Sequence, residues 1–309
     1  MNKIQKSKQP RTGNTRVTGK EQYYTPATQV DQIIERVNGV FELDTQSPFL
    51  EPAGGTGAFI EGAKRFGFSE IISYDIEPKH YQVVSGDFLT QDLRLSKAVC
   101  ITNPPFGRNN SLSIPFFNKA ALYSDVIALI LPRSWRKWSV LNRLDKNFRL
   151  IDDWNLHIDY VDEDGAESHG VGNLNTCVQV WKRDRDFERQ QVNVADLKII
   201  EKSTPINADV SFTLFGYGCG TVKTEFPRVP NTTQAFFKLN HDRALEALQN
   251  TDFSPFFNHT AYTQALGIKE INYLLNEYLG FIQFPYSTDP SSSDYLGLTY
   301  KPKYGLFNK

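Results

Sequence analysis

Apolar positions in the first half of the chain come in short runs, and each run ends on a polar or glycine-bearing segment. Residues 48–51 read as a short buried strand, 54–57 as a glycine turn and 58–66 as a helix with its apolar groups along one side. The alternation then repeats. Residues 71–74 end at Asp75, a strand over 80–84 leads into Gly86-Asp87-Phe88, and residues 98–102 end at Asn103-Pro104-Pro105-Phe106. A helix is predicted over 115–123 and a fully buried strand over 126–131. Strands alternating with helices predict a mostly parallel α/β sheet covered on both faces, with ligands bound beyond the carboxyl ends of the strands. Every polar segment just named lies at such an end.

Further along, residues 154–160 and 176–181 predict a closing antiparallel hairpin joined by the polar stretch 162–173. A charge-dense link over 182–189 then leads into a section richer in Phe, Tyr, Thr and Pro. Its strands are expected over 210–215 and 235–239, its helices over 242–250 and 269–279, and residues 286–294 form a loose serine-rich stretch. The chain divides accordingly into a basic flexible arm (1–20), a ligand-binding α/β domain (21–189) and a smaller C-terminal α+β section (190–309).

Composition narrows the class. The chain has 309 residues, 40% hydrophobic and 22% charged, which excludes wholesale disorder and a disulfide scaffold. The longest apolar run, 126–131, falls far short of the roughly 20 residues of a membrane span. The N-terminus is basic without an apolar core, so an untargeted cytoplasmic protein is expected. Cys100, Cys177 and Cys219 are far apart and lack a CxxC pair; they are expected to be buried thiols, not zinc ligands. Net charge is −1, but it is unevenly spread. Lys3, Lys6, Lys8, Arg11, Arg16 and Lys20 precede any acidic residue. A second basic stretch holds Arg133, Arg136, Lys137, Arg143, Lys146 and Arg149 against Asp145 alone. Each is either a patch that meets a polyanion or a solvated tail and helix face. Trp135 and Trp138, within the second stretch, are either core or stacking residues.

The candidate chemistry sits on two motifs. In Glu51-Pro52-Ala53-Gly54-Gly55-Thr56-Gly57, a glycine turn between strand and helix lets a ligand approach the backbone. The preceding Glu51 suits an ammonium group and disfavours phosphates. Asp75 can accept from both hydroxyls of a ribose, and Asp87 from an adenine amino group with Phe88 packed on the ring. Singly, each Asp is equally a turn former or helix cap. In Asn103-Pro104-Pro105-Phe106, two prolines stiffen the backbone, so the Asn103 side chain and the Pro104 carbonyl become fixed acceptors beside an aromatic face. The alternative is a rigid strand-to-helix turn.

Together, Glu51-Pro52-Ala53-Gly54-Gly55-Thr56-Gly57-Ala58-Phe59 and Asn103-Pro104-Pro105-Phe106 resemble the S-adenosylmethionine-dependent amino-methyltransferases that modify adenine in DNA. Tyr23-Tyr24-Thr25-Pro26, upstream, is similar to the N-terminal cofactor motif of the gamma-type order. The resemblance covers roughly 22–183. It implies a seven-stranded Rossmann-like methyltransferase sheet followed by a small target-recognition section. Around the cofactor it implies Tyr24, Thr25, Pro26, Glu51, Pro52, Ala53, Gly54, Gly57, Asp75, Ile76, Asp87 and Phe88. Around an adenine flipped out of duplex DNA it implies Asn103, Pro104, Pro105 and Phe106. Lys3, Lys6, Lys8, Arg11, Arg133, Arg136, Lys137 and His169 are candidate DNA contacts. The chain departs from the family in carrying Phe106 where Tyr is frequent, and His169 is the sole ring where a second stacking aromatic is expected. The same catalytic motif serves methyl transfer to RNA adenine or to a protein glutamine, and a non-catalytic nucleic-acid-binding protein on this fold is a further alternative.

Overall fold

The computed structural model describes residues 24–158, 160–161, 174–189 and 191–281. Lys3, Lys6, Lys8, Arg11, His169 and the serine-rich stretch lie outside the described residues. Helix α1 (Ala27–Phe41) comes first, with Val30, Ile33, Ile34 and Val37 buried along one side at helical spacing. Strand β1 (Phe49–Glu51), helix α2 (Ala58–Phe66) and strands β2 (Ile71–Asp75), β3 (Val84–Ser85) and β4 (Ala98–Thr102) follow. Then come α3 (Ser113–Ala120), β5 (Ser124–Pro132), α4 (Trp138–Leu141), β6 (Phe148–Leu156) and β7 (Thr176–Arg183).

These seven strands form one sheet in the order β3-β2-β1-β4-β5-β7-β6. All are parallel except β7, which runs antiparallel to β5 and β6. The chain steps outward from β1 to β2 and β3, then returns to place β4 on the other side of β1. The reversal between β1 and β4 opens a crevice at their carboxyl ends, the place where open α/β sheets bind ligands.

Strand alternation distributes the core to both faces. Along β5, Val126, Ala128 and Ile130 join the cluster of α1 and α2, while Ile127, Leu129 and Leu131 join that of α3. At the centre of the second cluster the Phe117 ring lies 5.4–5.9 Å from the rings of Trp135, Phe148 and Trp181. The C-terminal section builds a second sheet from β8 (Ile200–Lys202), β9 (Val210–Thr213), β10 (Val222–Lys223) and β11 (Gln234–Leu239), in the order β10-β9-β11-β8. Helices α5 (Ala244–Asn250), α6 (Ser254–Phe257) and α7 (Ile268–Tyr278) complete it. Phe212, Phe237, Leu248 and Leu274 belong to the same buried cluster as Leu129 and Trp181, so one continuous core joins the two sheets.

Several elements differ from the sequence reading. Residues 80–83 are not strand: Val83 N–H bonds His80 O in a turn, and only Val84–Ser85 pair with β2. Val84 is exposed, so nothing buries a longer edge strand there. Helix α3 begins at Ser113, two residues early, because Pro115 is tolerated in a first turn that needs no N–H. Strand β6 starts at Phe148 rather than 154, inside the stretch read as a basic face, with Phe148 and Leu150 buried. The charged link is partly strand, and Arg189 is buried as a clamp. Its guanidinium donates to the carbonyls of Leu141 (2.8 Å), Leu144 (2.9 Å) and Asp145 (3.3 Å).

Candidate functional site

A cavity of about 370 Å3 occupies the crevice at the ends of β1, β2 and β4. It gathers Tyr24 and Thr25 from the segment before α1, Pro52, Ala53 and Gly54 from the turn after β1, and Asp75 and Ile76 from the end of β2. Asp87 and Phe88 come from the loop after β3, and Asn103, Pro104 and Pro105 from the end of β4. Glu77, Leu89, Leu112 and Phe116 also line it without having been anticipated. Glu77 stands two residues beyond Asp75, and Phe116 lies on the apolar side of α3, where only the folded packing turns it toward the crevice. Pro26, Glu51, Gly57 and Phe106 do not line this cavity.

The glycines serve the protein's own packing first. A Cβ on Gly54 would fall 2.2 Å from Ser73 Oγ, and one on Gly57 would fall 2.4 Å from the His80 ring at a φ of +82°. The close approach that glycine permits is therefore between side chains and the turn, which holds the turn against β2 and the His80 segment. Asp75 fixes the same turn: Oδ2 accepts from Gly55 N–H at 2.9 Å and Oδ1 from Glu77 N–H at 2.8 Å. Asp87 caps the short 3-10 turn after β3 through Leu89 N–H at 2.9 Å. Phe88 is 1% exposed and packs 5.6 Å from Phe116, so it offers the cavity a fixed aromatic surface.

Glu51 is fully buried behind the wall. Its Oε1 accepts from Ala53 N–H at 2.9 Å and from the Thr102 hydroxyl, while Oε2 has no hydrogen-bond partner among the described residues. Burial pushes this carboxyl from 4.5 up to about 8. Thr102 is the last residue of β4, so Glu51 couples the strand that carries the glycine turn to the strand that carries Asn103.

The corner after β4 is held from three sides. Asn103 Nδ2 donates to Thr25 Oγ1 at 3.3 Å, which turns the amide carbonyl away from Thr25. The Phe106 carbonyl accepts from the N–H groups of Leu112 (3.2 Å) and Ser113 (3.3 Å), folding residues 107–111 back into a compact loop. Trp135 Nε1 donates to Ser113 Oγ at 2.9 Å, anchoring that loop to the core. Phe106 is 7% exposed and borders a second cavity on the far side of the corner.

Most of the basic stretch is tied to partners within the fold, while Arg143 stays exposed. Arg136 makes an ion pair with Asp153 in which the side chains are 10% and 4% exposed, and it also donates to Asn155 Oδ1 at 2.8 Å. Lys137 pairs with Glu270 at 3.3 Å, Lys146 with Glu188 and Arg149 with Asp184, each at 2.8 Å. Arg133 Nε donates to the Thr176 carbonyl at 3.3 Å. Trp135 and Trp138 are core residues, 0% and 7% exposed.

No protein-family model matches the chain. Two curated relatives from Haemophilus influenzae, the type II methyltransferases M.HincII and M.HindII, align with it at 27% identity over 95 residues. The alignment takes in 30% of this chain and 18% of each relative, so less than a fifth of their length is represented. Among solved structures, a Pyrococcus horikoshii protein described as a candidate RNA methyltransferase overlays with a TM-score of 0.42 at 18% identity, covering 53% of this chain and 87% of that one. A type I restriction-modification methyltransferase subunit from Streptococcus thermophilus overlays with a TM-score of 0.37 at 13% identity, covering 53% and 45%. The sheet has the seven strands expected from the sequence, in a Rossmann-like order.

Proposed function

We propose that this chain transfers a methyl group from S-adenosylmethionine to the exocyclic amino group of adenine in DNA. The observation that carries the reading is the placement of Asn103. It sits on the wall of an acidic cavity, stiffened by two prolines and held by Thr25.

The cavity suits that cofactor by charge and shape. Its lining includes the carboxylates of Asp75, Glu77 and Asp87 and no basic side chain. A dinucleotide's phosphates would meet three like charges there, whereas a ligand bearing a sulfonium and an ammonium meets three opposite ones. Ile76, Phe88 and Phe116 supply the apolar surface that a purine ring needs. When bound, the cofactor supplies a methyl group activated by positive sulfur. Asp75 and Asp87 keep lone pairs beyond the backbone bonds they already accept, and these suit ribose hydroxyls and an adenine amine.

The chain's own contribution to transfer is to prepare a poor nucleophile. An adenine amino nitrogen shares its lone pair with the ring. The Asn103 side-chain oxygen and the Pro104 carbonyl accept its two N–H bonds and draw the nitrogen toward a tetrahedral shape, freeing the lone pair. Transfer would make the C–N bond as the methyl–sulfur bond breaks, with neutral S-adenosylhomocysteine as the leaving group. The same two acceptors would stabilise the cationic nitrogen until its surplus proton passed to water. Neither step requires a side-chain nucleophile.

The assay is incubation with methyl-labelled cofactor and DNA, RNA or protein in parallel. Label recovered from DNA as N6-methyladenine is expected. Label entering only RNA or only protein would refute the DNA assignment, and label entering nothing would refute catalysis.

A further inference from the structure

The corner formed by Asn103 to Phe106 separates two cavities of opposite charge. The second, of about 540 Å3, is bordered by Phe106, Arg108, Lys137 and Arg143 on the side of the main sheet and by His259 and Tyr262 on the side of the C-terminal section. Three basic residues and no acidic one line it, the inverse of the first cavity. Lys137 is balanced by Glu270. Arg108 and Arg143 are exposed, and neither makes an ion pair among the described residues.

A second observation comes from His259. Its side of the cavity is closed in: the residue is 4% exposed and its ring stands edge-on to Phe256 at 5.7 Å. Its Nδ1 is buried and has no hydrogen-bond partner among the described residues. Buried polar atoms are nearly always satisfied, so this unpaired nitrogen is left for a partner that the described residues do not supply. Burial, with Arg136, Lys137 and Arg133 nearby, pushes the imidazole down to about 3. The ring is therefore neutral at working pH, with one donor and one acceptor nitrogen, the pattern that meets a base edge.

Building on the methyl-transfer reading, we propose that this cavity holds the nucleotide adjoining the target adenine in the same strand. Its phosphate lies against Arg108 and Arg143, and the edge of its base lies against His259. Guanidinium forks suit phosphate oxygens, and Phe106 forms the partition between this nucleotide and the reacting one.

Fluorescence anisotropy of the full chain with a labelled, adenine-containing DNA duplex over a range of salt concentrations tests this. The double variant Arg108→Gln/Arg143→Gln should lose about tenfold in affinity. Its slope of log Kd against log salt should fall by about one to two, because each phosphate contact contributes about 0.9. His259→Phe should weaken binding at least about threefold with no change in slope, since a neutral ring releases no counterion, and His259→Gln should restore part of the loss. Calorimetric affinity for S-adenosylhomocysteine should be unchanged in every variant, which also reports that each is folded. Wild-type affinity and slope in the arginine variant, or wild-type affinity in folded His259→Phe, would overturn the proposal. A wild-type protein that methylates DNA while the arginine variant keeps its salt slope defeats this inference alone. A wild-type protein that places no methyl on DNA defeats the reading beneath it.

Discussion

Thr25 and Asn103 are 78 positions apart, yet a hydrogen bond between them sets which end of the Asn103 amide points away from Thr25. The Thr25 side chain carries that orientation; its methyl group does not. Thr25→Val should therefore lower kcat by about tenfold, the cost of roughly one hydrogen bond. Thr25→Ser should retain most of it, and calorimetric affinity for S-adenosylhomocysteine should move little in either. An equal loss in the Val and Ser variants would show that the hydroxyl is not what matters. Glu51 carries a second residue-scale consequence. Its carboxyl is raised from 4.5 to about 8, chiefly by burial, with the nearby Asp75 charge adding to the shift. The folded state thus prefers the protonated acid. Its contribution to stability is complete below 4.5 and drains away as pH rises through about 8. Ligand-free Glu51→Gln should lose less melting temperature than wild type between those pH values, and identical pH profiles would contradict the burial argument. Glu51 was legible as acidic and close to the glycine turn, but its place behind the wall was not. That depends on Thr102 arriving from a strand far along the chain.

At the scale of elements, the site follows from β1 and β4 being neighbours in the sheet. Their loops, the glycine turn and the proline corner, are forced to face one crevice. These loops were readable because each follows a compact apolar run and carries residues with strong backbone preferences. Strand β3 was misplaced because its two residues are defined by pairing with β2 and not by any pattern of their own. Strand β6 was hidden because its basic neighbours find carboxylates elsewhere in the chain, as Lys137 does with Glu270, 133 positions away. Charge spacing in a sequence says nothing about such distant partners. The core that positions β4, β5 and α3 turns on Phe117, ringed by Trp135, Phe148 and Trp181. Phe117→Ala should destabilise the protein by about 3–5 kcal/mol. Urea unfolding checks this, and a loss below about 1 kcal/mol would mean the cluster re-forms around the gap.

Across the whole molecule, a net charge of −1 conceals an ordered separation. Acidic groups line the cavity at the strand ends, and basic groups line the one beyond Phe106. The C-terminal section shares the core of the main sheet and supplies His259 to the second cavity. His259 was not legible in the sequence, because an isolated histidine between Asn258 and Thr260 carries no motif and gains meaning only when the two sections pack. The six basic residues over 1–20 were legible as charge alone. If they meet the same polyanion, deleting residues 1–20 should weaken DNA binding and flatten its salt dependence, with cofactor affinity unchanged. An unaltered salt slope would remove the arm from the interface. The role proposed for Asn103 is measured most directly by single-turnover methyl transfer in Asn103→Ala. Transfer should fall by about 10²–10³-fold while calorimetric affinity for S-adenosylhomocysteine stays near that of wild type, because the lost acceptor acts on the reacting amine. Turnover at the wild-type rate would contradict the mechanism.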